Sequence, residues 1–135
     1  MRMAELDVVI NNRYMFLKPC KTEYYYEINN GETYYRLVRN IPFDLNMDRI
    51  TVSIELPYEL EGYEFKQLYF EINNGRYTNM TYNGAIGKYE NGLLNIIIDR
   101  VKNLKNHITE DETVGTIVLT KDDKEEIIKF NFVKK

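Results

Sequence analysis

The 135-residue sequence holds one cysteine, one histidine, one serine and no tryptophan. Cys20 alone excludes an intrachain disulfide framework and any multi-cysteine metal site. His107 and Ser53, each the single residue of its type, leave little from which to assemble a nucleophile and its base. No run of about 18 apolar residues is present, so a helical membrane span is not expected. The first residues, Met1 to Asp7, contain no long apolar core and are not read as a secretory signal. Charge of one sign is also lacking. Eighteen basic against twenty-one acidic residues give a net charge of −3, which argues against binding nucleic acid through phosphate neutralisation.

Helix formers are scarce as well, with two Ala and one Gln against twelve Tyr, six Phe and fourteen Ile. Aromatic and β-branched residues fit a pleated, half-buried surface, so the composition points to an all-β chain. Fifteen Asn, with Ile, Lys and Tyr abundant and Ala rare, is the residue usage of an AT-rich genome, as in a low-GC bacterium or one of its viruses. The length fits one domain spanning residues 1–135, and no linker or low-complexity stretch divides it.

Four Asn-Gly pairs, at 30–31, 74–75, 83–84 and 91–92, punctuate the chain. Asn-Gly suits type I′ hairpin turns, which need positive φ at both central positions. The first lies between Glu23–Ile28 and Thr33–Val38; the second joins Phe65–Ile72 to Tyr77–Tyr82. Ile50, Val52, Ile54 and Leu56 alternate with Thr51, Ser53 and Glu55, predicting a strand with one face in the core and one in solvent, ended by Pro57. Leu93–Ile98 is apolar on both sides and reads as a central strand. Val114–Thr120 and Glu125–Val133 flank the polar turn Lys121–Lys124, with Ile128, Phe130 and Phe132 as the inward set. Val101–Asn106 fits either a short strand or a single helical turn. About 9–11 short strands at such spacings predict an antiparallel β-sandwich, immunoglobulin-like or jelly-roll-like.

Candidate chemistry is sparse. Asp44, Asn46, Asp48 and Glu55 match positions 1, 3, 5 and 12 of a calcium loop. Arg49 stands where the loop needs glycine, and a strand follows where a helix should, so the segment reads as an Asp/Asn-rich turn entering a strand. His107 with Cys20 or Ser53 has no activating context. Glu59 with Glu61, residues 110–112 and Asp122-Asp123 offer carboxylate pairs, the residue type glycosidases use, but acid runs of this kind are usually solvated loops. Asn79-Met80-Thr81 fits a glycosylation sequon and is taken as chance without a secretory signal. No catalytic, cofactor or metal residue is therefore assigned.

Tyrosine is the distinctive material. In Tyr24-Tyr25-Tyr26 and Tyr34-Tyr35 successive side chains alternate faces, so part of each cluster points outward. Tyr24, Tyr26, Tyr34 and Tyr35 are the candidate contact residues, for a protein partner or for stacking on sugar rings. Cross-strand aromatic packing is the plainer alternative.

The succession of elements resembles the N-terminal β-sandwich domain of the phage baseplate upper protein family. The resemblance rests on Ile41-Pro42-Phe43-Asp44-Leu45-Asn46 entering the strand Ile50–Leu56, on Glu90-Asn91-Gly92-Leu93-Leu94-Asn95-Ile96, and on Val114-Gly115-Thr116-Ile117-Val118-Leu119 leading to Phe132-Val133. Cys20-Lys21-Thr22 stands where the family has Gly-Asp-Thr, and Lys134-Lys135 ends the sequence where family members continue into a stalk. Immunoglobulin-like repeats of bacterial surface proteins share the Leu56-Pro57 strand exit followed by a long loop. The resemblance implies a non-enzymatic structural protein of a bacteriophage particle, in the tail, the baseplate or as a capsid decoration. It would be assembled in the host cytoplasm and contact other virion proteins, as a homo-oligomer or within a symmetric assembly, with no cofactor, nucleic acid or membrane. Two alternatives stay open: a carbohydrate-binding module using the tyrosines, and a small acidic phage-encoded inhibitor of a host protein, presenting residues 110–112 and 122–126.

Overall fold

The computed structural model describes residues 8–11, 13–17, 24–29, 31–70, 80–81, 85–90, 93–106, 108 and 111–134. Within them the chain forms β1 (Val8–Asn11), β2 (Tyr14–Leu17), β3 (Tyr24–Asn29), β4 (Glu32–Leu37), β5 (Ile41–Phe43) and β6 (Arg49–Ile54). There follow β7 (Glu64–Phe70), β8 (Met80–Thr81), β9 (Ala85–Glu90), β10 (Leu93–Asp99), β11 (Glu112–Lys121) and β12 (Lys124–Lys134). Two 3-10 turns, Tyr58–Leu60 and Val101–Asn106, complete the elements, and the second settles the choice that the sequence left open there.

The strands build two sheets packed as a sandwich. The smaller runs β1-β2-β6-β10-β9; the larger runs β3-β4-β12-β11-β7-β8, with β5 also paired to β12. The all-β sandwich expected from composition is present. The sheets are mixed, however: β2 runs parallel to β6, and β4 and β5 both run parallel to β12. Alternation along a strand fixes which face is buried and is silent on the direction of the neighbour, so parallel pairing was not legible. β12 is eleven residues long and takes β4 along its first half and β5 along its second, as one strand broken at residues 38–40. Asn131 spans the break: it accepts a hydrogen bond from Arg36 Nη2 and donates one from its Nδ2 to Asn40 Oδ1 at 3.3 Å.

Turn chemistry acts as the sequence indicates. Asn30-Gly31 joins β3 to β4 with Asn29 opposite Glu32, and Gly31 has the left-handed φ of 79° that such turns demand. Lys121 pairs with Lys124 across the β11–β12 turn, where Asp122 takes a φ of 55°. Glu90 pairs with Leu93 on either side of Asn91-Gly92. β7 and β8 are paired antiparallel, with Phe70 opposite Met80. Asn74-Gly75, Asn83-Gly84, Asn91-Gly92, the sequon asparagine, Cys20 and His107 lie outside the described residues.

The core lies between the sheets. Met15, Ile50, Val52, Ile54, Leu94, Ile96 and Ile98 line one wall; Leu37, Leu68, Phe70, Ile117, Leu119, Ile128, Phe130 and Phe132 line the other. Phe132 is the hub of an aromatic cluster. It stacks on Phe43 at 4.3 Å and on Phe70 at 5.2 Å, and meets Phe130 edge-on at 5.9 Å. Connections between the sheets close the ends with Leu45, Leu60, Tyr63, Val101, Leu104 and Ile108, all buried. β10 is an interior strand between β6 and the edge strand β9, with Leu94, Ile96 and Ile98 fully buried and Leu93, Asn95 and Ile97 half-buried on the other face.

Candidate interaction surface

The predicted contact tyrosines fall on two faces of one hairpin. Cross-strand register places Tyr24 opposite Leu37 and Tyr26 opposite Tyr35, all on the side turned to the core, while Tyr34 lies on the outer side opposite Glu27. Tyr24 is anchored: its hydroxyl donates to the Glu55 carbonyl at 2.6 Å, tying β3 to the exit of β6 in the other sheet. Burial, then the nearby Glu55 carboxylate and Tyr89, push its phenol well above the ordinary value. Tyr35 is half-buried, and its phenol is likewise raised, first by desolvation and then by Glu59 and Glu126. Tyr26 packs edge-on against the Tyr35 ring at 4.9 Å.

Tyr34 is the clear departure from expectation. It is only 5% exposed, and the ammonium of Lys129 sits 4.6 Å from its ring centroid. Lys129 also lies 3.6 Å from Glu32. That ring face is already occupied by a cation. A sugar platform requires a coplanar exposed row of rings, and these four tyrosines do not form one.

Exposure rises steadily along β3. Tyr24 is half-buried, Tyr26 is 53% exposed and Ile28 is 72% exposed, all on one face. β3 ends the larger sheet, and among the described residues no strand lies on its outer edge. The hairpin thus carries an uncovered strip of tyrosine and isoleucine beside a free row of backbone donors and acceptors. Sequence reasoning named Tyr26 and overlooked Ile28. Alternation from Tyr24 places Ile28 on the same face, but an isoleucine in a strand reads by default as core.

The other candidates disperse. Asp44 Oδ1 accepts the amide of Asn46 at 2.9 Å, and the amide of Met47 closes on the Asp44 carbonyl at 3.1 Å, the self-bonded turn expected of Asp and Asn here. Asp48 pairs with Arg13 at 3.1 Å and with Lys102 at 3.5 Å. β6 carries Glu55 away from Asp48 by roughly 20 Å, so the calcium-loop positions do not converge. Ser53, expected on a solvent face, does point away from the core but is only 8% exposed, and its hydroxyl donates to Asn95 Oδ1 at 2.5 Å. Asn95 stands directly opposite it on β10, which one strand's alternation does not reveal. Asp111 and Glu112 lie at one end of β11 and Asp122-Asp123 just beyond the other, roughly 30 Å apart. The acidic face required of an inhibitor is therefore not assembled from them.

A shallow cleft of about 370 Å³ is lined by Asp48, Arg100, Val101 and Lys102. Among the described residues no three His, Cys, Asp or Glu side chains cluster to hold a metal, and no helix is long and apolar enough to cross a membrane.

No family model matches the chain, and no curated protein or solved structure is significantly similar to it.

Proposed function

We propose that this chain is a non-enzymatic structural module of a bacteriophage particle, docking onto a neighbouring virion protein through the open edge of β3. The observation that carries this reading is the exposure of Tyr26 and Ile28 on one face of an end strand. An extended segment of a partner would add to the β3 backbone, with main-chain hydrogen bonds for affinity and the Tyr26–Ile28 strip for specificity. Tyr24, held to Glu55 across the sandwich, fixes the angle of the hairpin and limits the entropy lost on docking. The placement in a particle is supported by the AT-rich residue usage and by the resemblance carried on Ile41–Asn46, Glu90–Ile96 and Val114–Leu119.

The test has two parts. Mass spectrometry of purified particles should find the chain at a fixed stoichiometry to the major virion proteins. Co-expression with the virion proteins encoded beside it should yield a complex that Ile28→Asp abolishes while circular dichroism stays unchanged. A chain absent from particles, or a complex indifferent to Ile28→Asp, overturns the proposal.

A further inference from the structure

The outer face of the five-stranded sheet carries an ordered pattern of its own, on the side of the molecule opposite the larger sheet. Register aligns Tyr14 of β2, Arg49 of β6 and Asp99 of β10 in one cross-strand row. The next row on that face is Phe16 of β2, Thr51 of β6, Ile97 of β10 and Ile86 of β9. Phe16 and Ile86 are exposed, and Thr51 and Ile97 are half-buried. An apolar band therefore crosses four strands, about 14 Å at the usual strand spacing. Arg49 and Asp99 pair at 2.6 Å within the chain, each side chain is about 40% exposed, and the Arg49 guanidinium also lies 5.1 Å from the Tyr14 ring centroid.

We propose that this face is the interface of a two-fold symmetric dimer of the chain, in which Arg49 of each copy meets Asp99 of the other. The pattern is self-complementary about one axis. A two-fold parallel to the strands, midway between β6 and β10, carries β6 onto the second copy's β10 and β2 onto its β9. Each row then faces itself in reverse. Arg49 stands over Asp99 of the second copy, Thr51 over Ile97, and Phe16 over Ile86. The four charges form a square of alternating sign around the axis, so each ion gains an opposite neighbour across the interface as the apolar band is covered. A two-fold across the strands would instead bring Arg49 over Ser53 and Asp99 over Asn95 beside Lys88, so that Arg49 finds no counter-charge and only Asp99 does. Isologous contacts of this kind, residue i on j and j on i, are what closed dimers use, and aligned sheets pack face to face in this way. The dimer does not depend on β3, which lies in the other sheet.

Charge exchange with the full chain tests the proposal. Light scattering after size exclusion should give twice the 16.2 kDa chain mass. Arg49→Asp alone or Asp99→Arg alone places like charges around the axis and should weaken dimerisation about tenfold or more. An equimolar mixture of the two variants restores every opposite pair across the interface and should return the dimer mass. An intrachain ion pair has no means of producing that rescue. Thr51→Arg, beside the axis and outside the ion pair, should be a folded monomer and keeps the test decisive should an ion-pair variant not fold. A monomeric parent chain at its solubility limit, a dimer that tolerates Thr51→Arg, or folded single variants whose mixture stays monomeric would each overturn it.

Discussion

Phe130 of β12 lies across Gly115 of β11: a methyl group on Gly115 would stand 2.2 Å from the Phe130 Cζ. The two residues are directly opposed in the longest strand pair of the protein, and the ring fills the space that a side chain at 115 would take. Gly87 makes a similar allowance for Phe65, which a Cβ there would approach to 2.3 Å. Each large ring is accommodated by a missing side chain on a facing strand.

Gly115→Ala should therefore destabilise the fold by about 1–3 kcal/mol, the usual cost of overpacking a filled core. Phe130→Leu removes the ring edge and should make the second substitution less costly. Chemical denaturation of the parent, both single variants and the double variant gives the coupling, which should be favourable and at least ~0.5 kcal/mol. Additive effects would mean that the strands move apart instead.

Alkaline pH should destabilise the protein through three phenols whose protons the fold holds tightly. Burial raises Tyr24 and Tyr35, and burial with Glu64 raises Tyr89 to about 12, against an ordinary value of 10.0. The folded state holds these protons more tightly than the unfolded chain. Their stabilising contribution is complete below the ordinary value and is lost as pH rises from there through the folded values. Tyrosinate absorbance and denaturation midpoints, followed together, should show stability falling only above about pH 10. Tyr24→Phe should shallow that fall and, at neutral pH, cost about 1 kcal/mol for the lost bond to Glu55.

Asp48 provides the acid counterpart. The hydrogen bond from Arg13, aided by the charges of Arg13 and Lys102, holds its carboxyl below the ordinary 3.8. A depressed folded value stabilises at pH above the unfolded one and is lost as pH falls through the folded one. Denaturation midpoints measured from neutral pH downward should drop less steeply below about pH 4 in Asp48→Asn than in the parent.

Ile28→Asp should leave stability within about 0.5 kcal/mol, since the side chain is 72% exposed and loses little packing. Phe132→Ala, in the aromatic cluster, should cost about 3–5 kcal/mol. The same thermal unfolding series separates the two. An Ile28 variant as damaged as the Phe132 variant would mean that the hairpin tip is covered within the molecule.

Local patterning determined most of the fold. Alternation at Ile50–Leu56, the apolar run at Leu93–Ile98 and the inward set Ile128, Phe130 and Phe132 specify strands and their buried faces, because a pleated strand sends successive side chains to opposite sides. Asn30-Gly31 and Asp122-Asp123 specify hairpins, because few residues tolerate left-handed φ. The tertiary structure alone decided which strands became neighbours: that β4 and β5 share one edge of β12, that Tyr34 lies under Lys129, and that Ser53 is shielded beside Asn95. It also decided which tyrosines and isoleucines remain bare, since exposure depends on what another part of the chain lays over a face. Tyr26 and Ile28, or Arg49 beside Asp99, acquire meaning only once distant strands stand side by side.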